Sequence, residues 1–130
     1  MRFLSIYKTA EKFQPPSQDE IEKMSKLIEE MSKAGVLVST EGCLPSTNGA
    51  RVRLTGGKLT VTDGPFTETK EQVAGFALLQ ANSLEEAIES AKTFLQVVGG
   101  GECEVRQLYE APCNEHLAGY QPPDRAKISG

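Results

Sequence analysis

The chain has 130 residues, of which 38% are apolar and 25% charged, a length and composition typical of one globular domain. Its net charge of −4 and the lack of a basic stripe argue against nucleic-acid binding. We also expect no membrane segment and no signal peptide, because no apolar run approaches the required length.

The three cysteines, Cys43, Cys103 and Cys113, are odd in number and widely spaced. This usage argues against a disulfide framework and favours reduced thiols in a cytoplasmic protein. Cys113 and His116 have the spacing of half a metal site, but no second pair accompanies them. We therefore expect neither a metal nor another cofactor.

The first half of the chain predicts a strand, a helix and a second strand. Residues 2–7 have apolar side chains on both faces, which indicates an interior strand. Ser17 and Glu20 have the spacing of a capping box, and Gly35 is suited to end a helix in the left-handed conformation. The helical stripe between them comprises Ile21, Met24, Leu27, Ile28, Met31 and Ala34. Residues 36–45 then predict a strand that runs out between Gly42 and Pro45.

Residues 51–62 predict a hairpin around Gly56-Gly57. One face carries Val52, Leu54, Leu59 and Val61, and the other carries Arg51, Arg53, Lys58 and Thr60. We expect the charged face to meet water or a cleft.

The second half repeats the strand–helix–strand order. The nearly all-apolar residues 73–81 predict a central strand. Ser83 and Glu86 form another capping box, before a helical stripe from Leu84 to Val98. Three glycines at 99–101 end this helix. Residues 102–110 alternate as a last strand.

Without the hairpin, the predicted order is βαββαβ, which indicates a ferredoxin-like α+β fold with an antiparallel sheet and an inserted hairpin. We assign residues 1–110 to this domain. The tail, 111–130, has no periodicity and is expected to be disordered or to lie as an arm on another surface. Two helices cover one sheet face, so the other apolar face predicts a homodimer with stacked sheets.

The stretch TDGPFTETKEQVAGFALL resembles the signature of the YCII-related (DGPF-domain) family of small bacterial proteins. The opening RFLSIYK, the stretch AGVLVSTEGCLPS and the closing ECEVRQLYE also match, so the resemblance spans residues 1–110. It implies a dimeric α+β barrel. It implies little about activity: most similar members have no assigned reaction, some are encoded near alternative sigma factors, and one relative is similar to a dehydrochlorinating enzyme.

Other YCII proteins pair a His on the first helix with an Asp near the cleft. This chain departs from that arrangement, because its first helix has no His and its only His is His116 in the tail. A proton-transferring His–Asp pair is therefore not expected.

The candidate catalytic residues are Asp63, Glu41 and Lys70. Asp63 fits either a turn, with Gly64 at positive φ, or a carboxylate at the mouth of a cleft. Glu41 is either a surface residue or the second carboxylate of an acid–base pair with Asp63. Lys70 belongs either to a solvated turn or to a site that neutralises Asp63 or an anion.

The candidate ligand-binding residues are Tyr7, Arg51, Arg53, Phe66 and Glu68. The two arginines are neighbours on the charged face of the hairpin and could hold a carboxylate or phosphate, or simply face water. Phe66 fits a plug under the loop or a ligand wall, Tyr7 fits core packing or a cleft hydroxyl, and Glu68 fits a solvated turn.

These residues leave three functions open. The first is a cofactor-free lyase or isomerase acting on a small metabolite near the DGPF loop. The second is a dimeric module that binds or senses a small molecule without turnover, and the third is a structural dimer. No nucleic-acid or membrane partner is expected.

Overall fold

A computed structural model describes residues 1–11, 14–66 and 71–110. The strands are β1 (Arg2–Thr9), β2 (Leu37–Gly42), β3 (Ala50–Thr55), β4 (Lys58–Asp63), β5 (Gln72–Gln80) and β6 (Glu102–Gln107), and the helices are α1 (Gln18–Lys33) and α2 (Leu84–Val98). A short 3₁₀ turn spans Ser46–Asn48. The predicted tail, with Cys113 and His116, lies outside the described residues.

Local signals set the ends of both helices as predicted. The Ser17 hydroxyl accepts a hydrogen bond from the Glu20 amide, and the Ser83 hydroxyl accepts one from the Glu86 amide, each at 3.2 Å. The Glu86 carboxylate reaches back to the Asn82 amide at 2.9 Å and completes the second cap. Gly35 and Gly99, which follow the helices, adopt φ of 75° and 88°.

The main sheet has the strand order β2-β5-β1-β6, and every neighbouring pair is antiparallel. This is the order of the ferredoxin-like βαββαβ fold, so the predicted α+β class is confirmed. One sheet face packs against both helices, and its centre is a core formed by Phe3, Leu79, Ala81 and Ala87. Phe3 is fully buried and lies opposite Leu79 in register.

The other side of the main sheet, which we call the open face, carries no helix. Leu4 lies opposite Leu78 and Ile6 lies opposite Phe76, so these four apolar side chains form its centre. Phe76 is 37% exposed and the other three are partly exposed. At the β6 side of this face, Glu104 forms ion pairs with Lys8 and Arg106, at 3.1 and 3.2 Å.

The predicted hairpin is present as a separate two-stranded sheet, β3-β4. Gly56 and Gly57 both have positive φ, 59° and 79°, which is the geometry of a two-residue type I′ turn. The second strand, β2, ends at Gly42, where the predicted strand begins to run out, whereas the last predicted strand was too long, since β6 ends at Gln107. Beyond Gly42 the chain turns toward Pro45 and the 3₁₀ turn, and Pro45 cannot donate to a strand partner.

Candidate ligand-binding cavity

A cavity of about 380 Å³, here called the interior cavity, lies between the two helices and the main sheet. Its apolar walls come from α1 with Met24, Leu27, Ile28 and Met31, from α2 with Ala91, Phe94 and Val98, and from the sheet with Leu37, Ala77 and Leu79. This volume is within the range of roughly 300–1,000 Å³ that is usual for small-molecule sites.

The hydroxyl groups in the wall of the interior cavity already have partners within the protein. Thr40 donates to the carbonyl of Phe76 at 2.9 Å, and Ser90 donates to the carbonyl of Glu86 at 3.3 Å. Among the described residues, no buried side-chain nitrogen or oxygen lacks a hydrogen-bond partner. The cavity therefore offers mainly apolar contact to a ligand.

Tyr7 occupies the mouth of this cavity in a fixed orientation. Its hydroxyl donates to the carbonyl of Gly100 at 2.9 Å, and its ring meets Phe94 edge-on, with centroids 4.9 Å apart. Gly101 lies so close that a Cβ there would be 2.5 Å from the Tyr7 ring, and its φ is +102°. The glycine segment after α2 thus ends the helix and also fixes the position of the Tyr7 ring.

The Cys103 thiol also lines the interior cavity, in a half-buried position beside Tyr7 on the neighbouring strand. Burial raises its pKa, and its hydrogen bond with Ser5 opposes this effect, while the nearby charge of Glu102 adds to it. The thiol is therefore protonated at neutral pH and is a poor nucleophile. Cys43, in contrast, is an exposed free thiol.

Two further cavities extend from the interior cavity toward the hairpin. A middle cavity of about 250 Å³ shares Tyr7, Met24, Ala74 and Val98 with it. An outer cavity of about 490 Å³ is lined by Arg51 and Phe66 and shares Glu11, Cys43, Leu44, Pro45, Gln72 and Val73 with the middle one. Tyr7 therefore stands where the interior opens toward the DGPF loop.

The base of the loop is held by a side-chain cluster that we call the Ser46 junction, formed by Glu11, Ser46 and the Phe66 amide. The Glu11 carboxylate accepts hydrogen bonds from both the amide and the hydroxyl of Ser46, the latter at 2.9 Å. The hydroxyl oxygen of Ser46 in turn accepts a hydrogen bond from the Phe66 amide at 3.0 Å. The junction connects the ends of β1, β2 and β4.

The glycine of the DGPF motif is needed for close approach and not for a left-handed turn, which corrects the expectation of positive φ at Gly64. A Cβ at Gly64 would stand 1.6 Å from the Ser46 carbonyl oxygen. Its amide donates to the carbonyl of Gly49 at 3.0 Å, and the Gly64–Pro65 peptide is cis. The motif therefore packs the end of β4 against the 3₁₀ turn.

The predicted carboxylate pair is not brought into one cavity. Asp63 is exposed at the end of β4 and lines none of the three cavities described above. Glu41 contributes to the interior cavity wall, but its register with Phe76 places its side chain on the open face. Within the described residues, no hydrogen bond or ion pair involves the Asp63 carboxylate.

Other predicted ligand-binding residues separate into two groups. Arg51 and Phe66 come together at the outer cavity, where the guanidinium carbon lies 3.9 Å from the ring centroid. Tyr7 is at the junction of the interior and middle cavities, whereas Arg53 is exposed on the hairpin. Glu68 and Lys70 lie outside the described residues.

The described parts of the chain also lack two other kinds of feature. In residues 1–11, 14–66 and 71–110, no three His, Cys, Asp or Glu side chains cluster closely enough to hold a metal ion. No helix in these ranges combines the length and apolar character needed to cross a membrane.

Comparison with known families agrees with the signature seen in the DGPF loop. A family model described as the YCII-related domain matches residues 1–111. The chain belongs to the YCII-related family. The match extends over all the elements from β1 to β6, including the hairpin. Comparison with curated proteins gives no significant match.

Sequence reasoning missed several residues of this candidate site. Glu11 and Ser46 lie outside every predicted helix and strand, and Cys103 lies within the last predicted strand. Their positions depend on pairings between segments distant in sequence, such as Glu11 with Ser46. The local signals for the cavity were the apolar stripes of α1 and α2, which indicate burial but not a cavity wall.

Proposed function

We propose that this YCII-related protein is a small-molecule binding module whose ligand occupies the interior cavity. The observation that carries the proposal is a cavity of about 380 Å³ with apolar walls from both helices and the sheet. Because the hydroxyls of Tyr7, Thr40 and Ser90 are already bonded to backbone carbonyls, a compact aromatic or aliphatic molecule is the best fit.

The binding function is favoured over a lyase or isomerase because the predicted acid–base residues do not meet in this cavity. Asp63 is exposed outside it, and the Glu41 side chain lies on the opposite sheet face. Burial keeps the neighbouring Cys103 thiol protonated by raising its pKa. A proton-transfer reaction needs a group of suitable pKa within hydrogen-bond reach of the substrate.

We further propose that the module is a homodimer formed through the open face. Its centre of Leu4, Ile6, Phe76 and Leu78 is an apolar patch of the kind that marks protein interfaces. A two-fold arrangement would cover this face on both copies at once. Sedimentation of the full chain measures the association, and Ile6→Lys should weaken it.

The binding proposal is tested by thermal-shift screening of small aromatic and aliphatic compounds against the full-length protein. A ligand present at 100 times its dissociation constant stabilises the folded state by about 2.7 kcal/mol. Ser90→Leu introduces a larger side chain into the cavity wall and should abolish this stabilisation.

Thr93→Leu is the matched control, because Thr93 lies on the same helix, also donates to a backbone carbonyl, and is exposed. This variant should keep the ligand response of the wild type. If compounds stabilise Ser90→Leu as strongly as they stabilise Thr93→Leu, the ligand is not in the interior cavity. If the protein converts a bound compound and Asp63→Asn stops the conversion without changing stability, the lyase or isomerase function replaces the binding module.

A further inference from the structure

The β3-β4 hairpin is a separate two-stranded sheet whose described contacts with the rest of the domain are at its base. Its six residue pairs run from Ala50–Asp63 to Thr55–Lys58, and the turn has the geometry that suits a twisted hairpin. Within residues 1–11, 14–66 and 71–110, its strands make only marginal contacts with the other helices and strands. Since an isolated two-stranded hairpin is at best marginally stable in water, this one needs a packing surface.

The hairpin has a continuous apolar face that water reaches in the isolated chain. Val52 lies opposite Val61, and Leu54 lies opposite Leu59, so the four side chains form one patch. Each is between 54% and 70% exposed. Directly opposed apolar side chains stabilise a hairpin, but an exposed patch of this kind also marks a docking surface.

The charge on the opposite face of the hairpin indicates the partner. Arg51, Arg53 and Lys58 give the hairpin a positive balance against the single carboxylate of Asp63, whereas the whole chain has a net charge of −4. A basic arm on an acidic chain is electrostatically attracted to another copy of that chain. The charge of the hairpin therefore favours a second copy of the chain as the partner that covers its apolar face.

We propose that the hairpin is an arm whose apolar face packs against a second copy of this chain. The arm is a separate sheet from the open face and so adds a second contact to the homodimer proposed above. Two-fold symmetry makes the exchange reciprocal, with each copy giving and receiving one arm.

The arm also links self-association to the cavities. Arg51 at its base stacks on Phe66, and both residues line the outer cavity. The Phe66 amide is held by the Ser46 junction, which fixes the start of the arm relative to the main sheet. A second copy held by the arm therefore lies beside the opening that leads to Tyr7.

The test compares two double variants of the full chain by sedimentation. Leu54→Ser with Leu59→Ser removes the two leucines from the apolar face, and Thr60→Ser with Thr62→Ser changes two residues on the opposite face, with the charge of the hairpin unaltered in both. Losing the burial of two leucines should weaken self-association by about a hundredfold or more, and the control pair should not. Hydrogen exchange of the wild-type amides at 52–61 should slow as protein concentration rises through the dissociation constant.

Three results would overturn the proposal. The first is a wild-type chain that stays monomeric, with hairpin amides that exchange at the same rate at every concentration. The second is slow hydrogen exchange of the hairpin amides in the monomer, which would mean that the chain covers its own arm. The third is a leucine variant that associates within about threefold of its threonine control. If Ile6→Lys alone dissociates the dimer in that case, the open-face contact stands and the arm contact does not.

Discussion

Replacing Ser46 by Ala should destabilise the protein and loosen the DGPF loop without touching the core. The variant loses the hydroxyl bond to the Glu11 carboxylate at 2.9 Å and leaves the Phe66 amide without its acceptor. A bond to a charged group contributes about 1.5–3 kcal/mol and a neutral one about 0.5–1.5 kcal/mol. Since Ser46 and Glu11 are only half-buried, water replaces part of this loss.

We therefore expect the free energy of unfolding to fall by about 2–3 kcal/mol, with a drop in Tm of roughly 10 °C. Urea titration followed by circular dichroism measures the first quantity. Hydrogen exchange at the Phe66 amide reports the loosening of the loop. Its rate should increase more in the variant than the exchange rates of the β1 amides.

Thr47→Ala is the matched control, because the neighbouring Thr47 is exposed and its hydroxyl contacts only Asn48, at 3.3 Å, among the bonds described. This variant should be close to wild type. The reasoning is wrong if both variants have the same stability, or if the Phe66 amide exchanges equally in both.

Two other predictions concern the mouth of the interior cavity. Gly101→Ala should lower the free energy of unfolding by more than about 2 kcal/mol and alter the near-ultraviolet dichroism of Tyr7, because the new Cβ would lie 2.5 Å from the Tyr7 ring at positive φ. Gly100→Ala is the control, since a Cβ there would have no atom within 4 Å, and it should change neither quantity. Equal effects of the two variants would contradict the role of Gly101 in fixing the Tyr7 ring. Alkylation followed by mass spectrometry should show Cys103 reacting more slowly than exposed Cys43, because burial raises its pKa. Ser5→Ala removes the bond that lowers this pKa and should slow Cys103 further; a faster reaction would refute the assignment.

The raised pKa of Cys103 also sets the sign of a pH effect on stability. The folded chain keeps this proton at a pH where the unfolded chain has lost it. The stabilising contribution is therefore complete at neutral pH and is lost as the pH rises through the folded-state pKa. Cys103→Ser should flatten the alkaline limb of the stability curve.

Features encoded by neighbouring residues were predicted well from the sequence. The caps at Ser17 and Ser83 and the left-handed glycines at Gly35 and Gly99 depend on contacts within one helical turn. The sheet order followed from the sequence of elements, because few arrangements satisfy the βαββαβ order.

The arrangement of the candidate site could not be predicted in the same way. The role of Gly64 depends on the Ser46 carbonyl, which is remote in sequence, so a rule for local turns gave the wrong reason for this glycine. The face on which Glu41 lies depends on the register of β2 after its irregularity between Leu37 and Ser39. A shift of one residue reverses the direction of every following side chain.

The Ser46 junction has a kinetic consequence as well as a structural one. Its hydroxyl oxygen joins Ser46 to a residue 35 positions earlier and to another 20 positions later, so one atom closes two stretches of chain. Its polar groups are half-buried at the base of a loop and lie outside the apolar core, so we expect the junction to form late on the folding route. The loop base should accordingly be absent at the barrier, and weakening it should accelerate unfolding while leaving the refolding rate nearly constant.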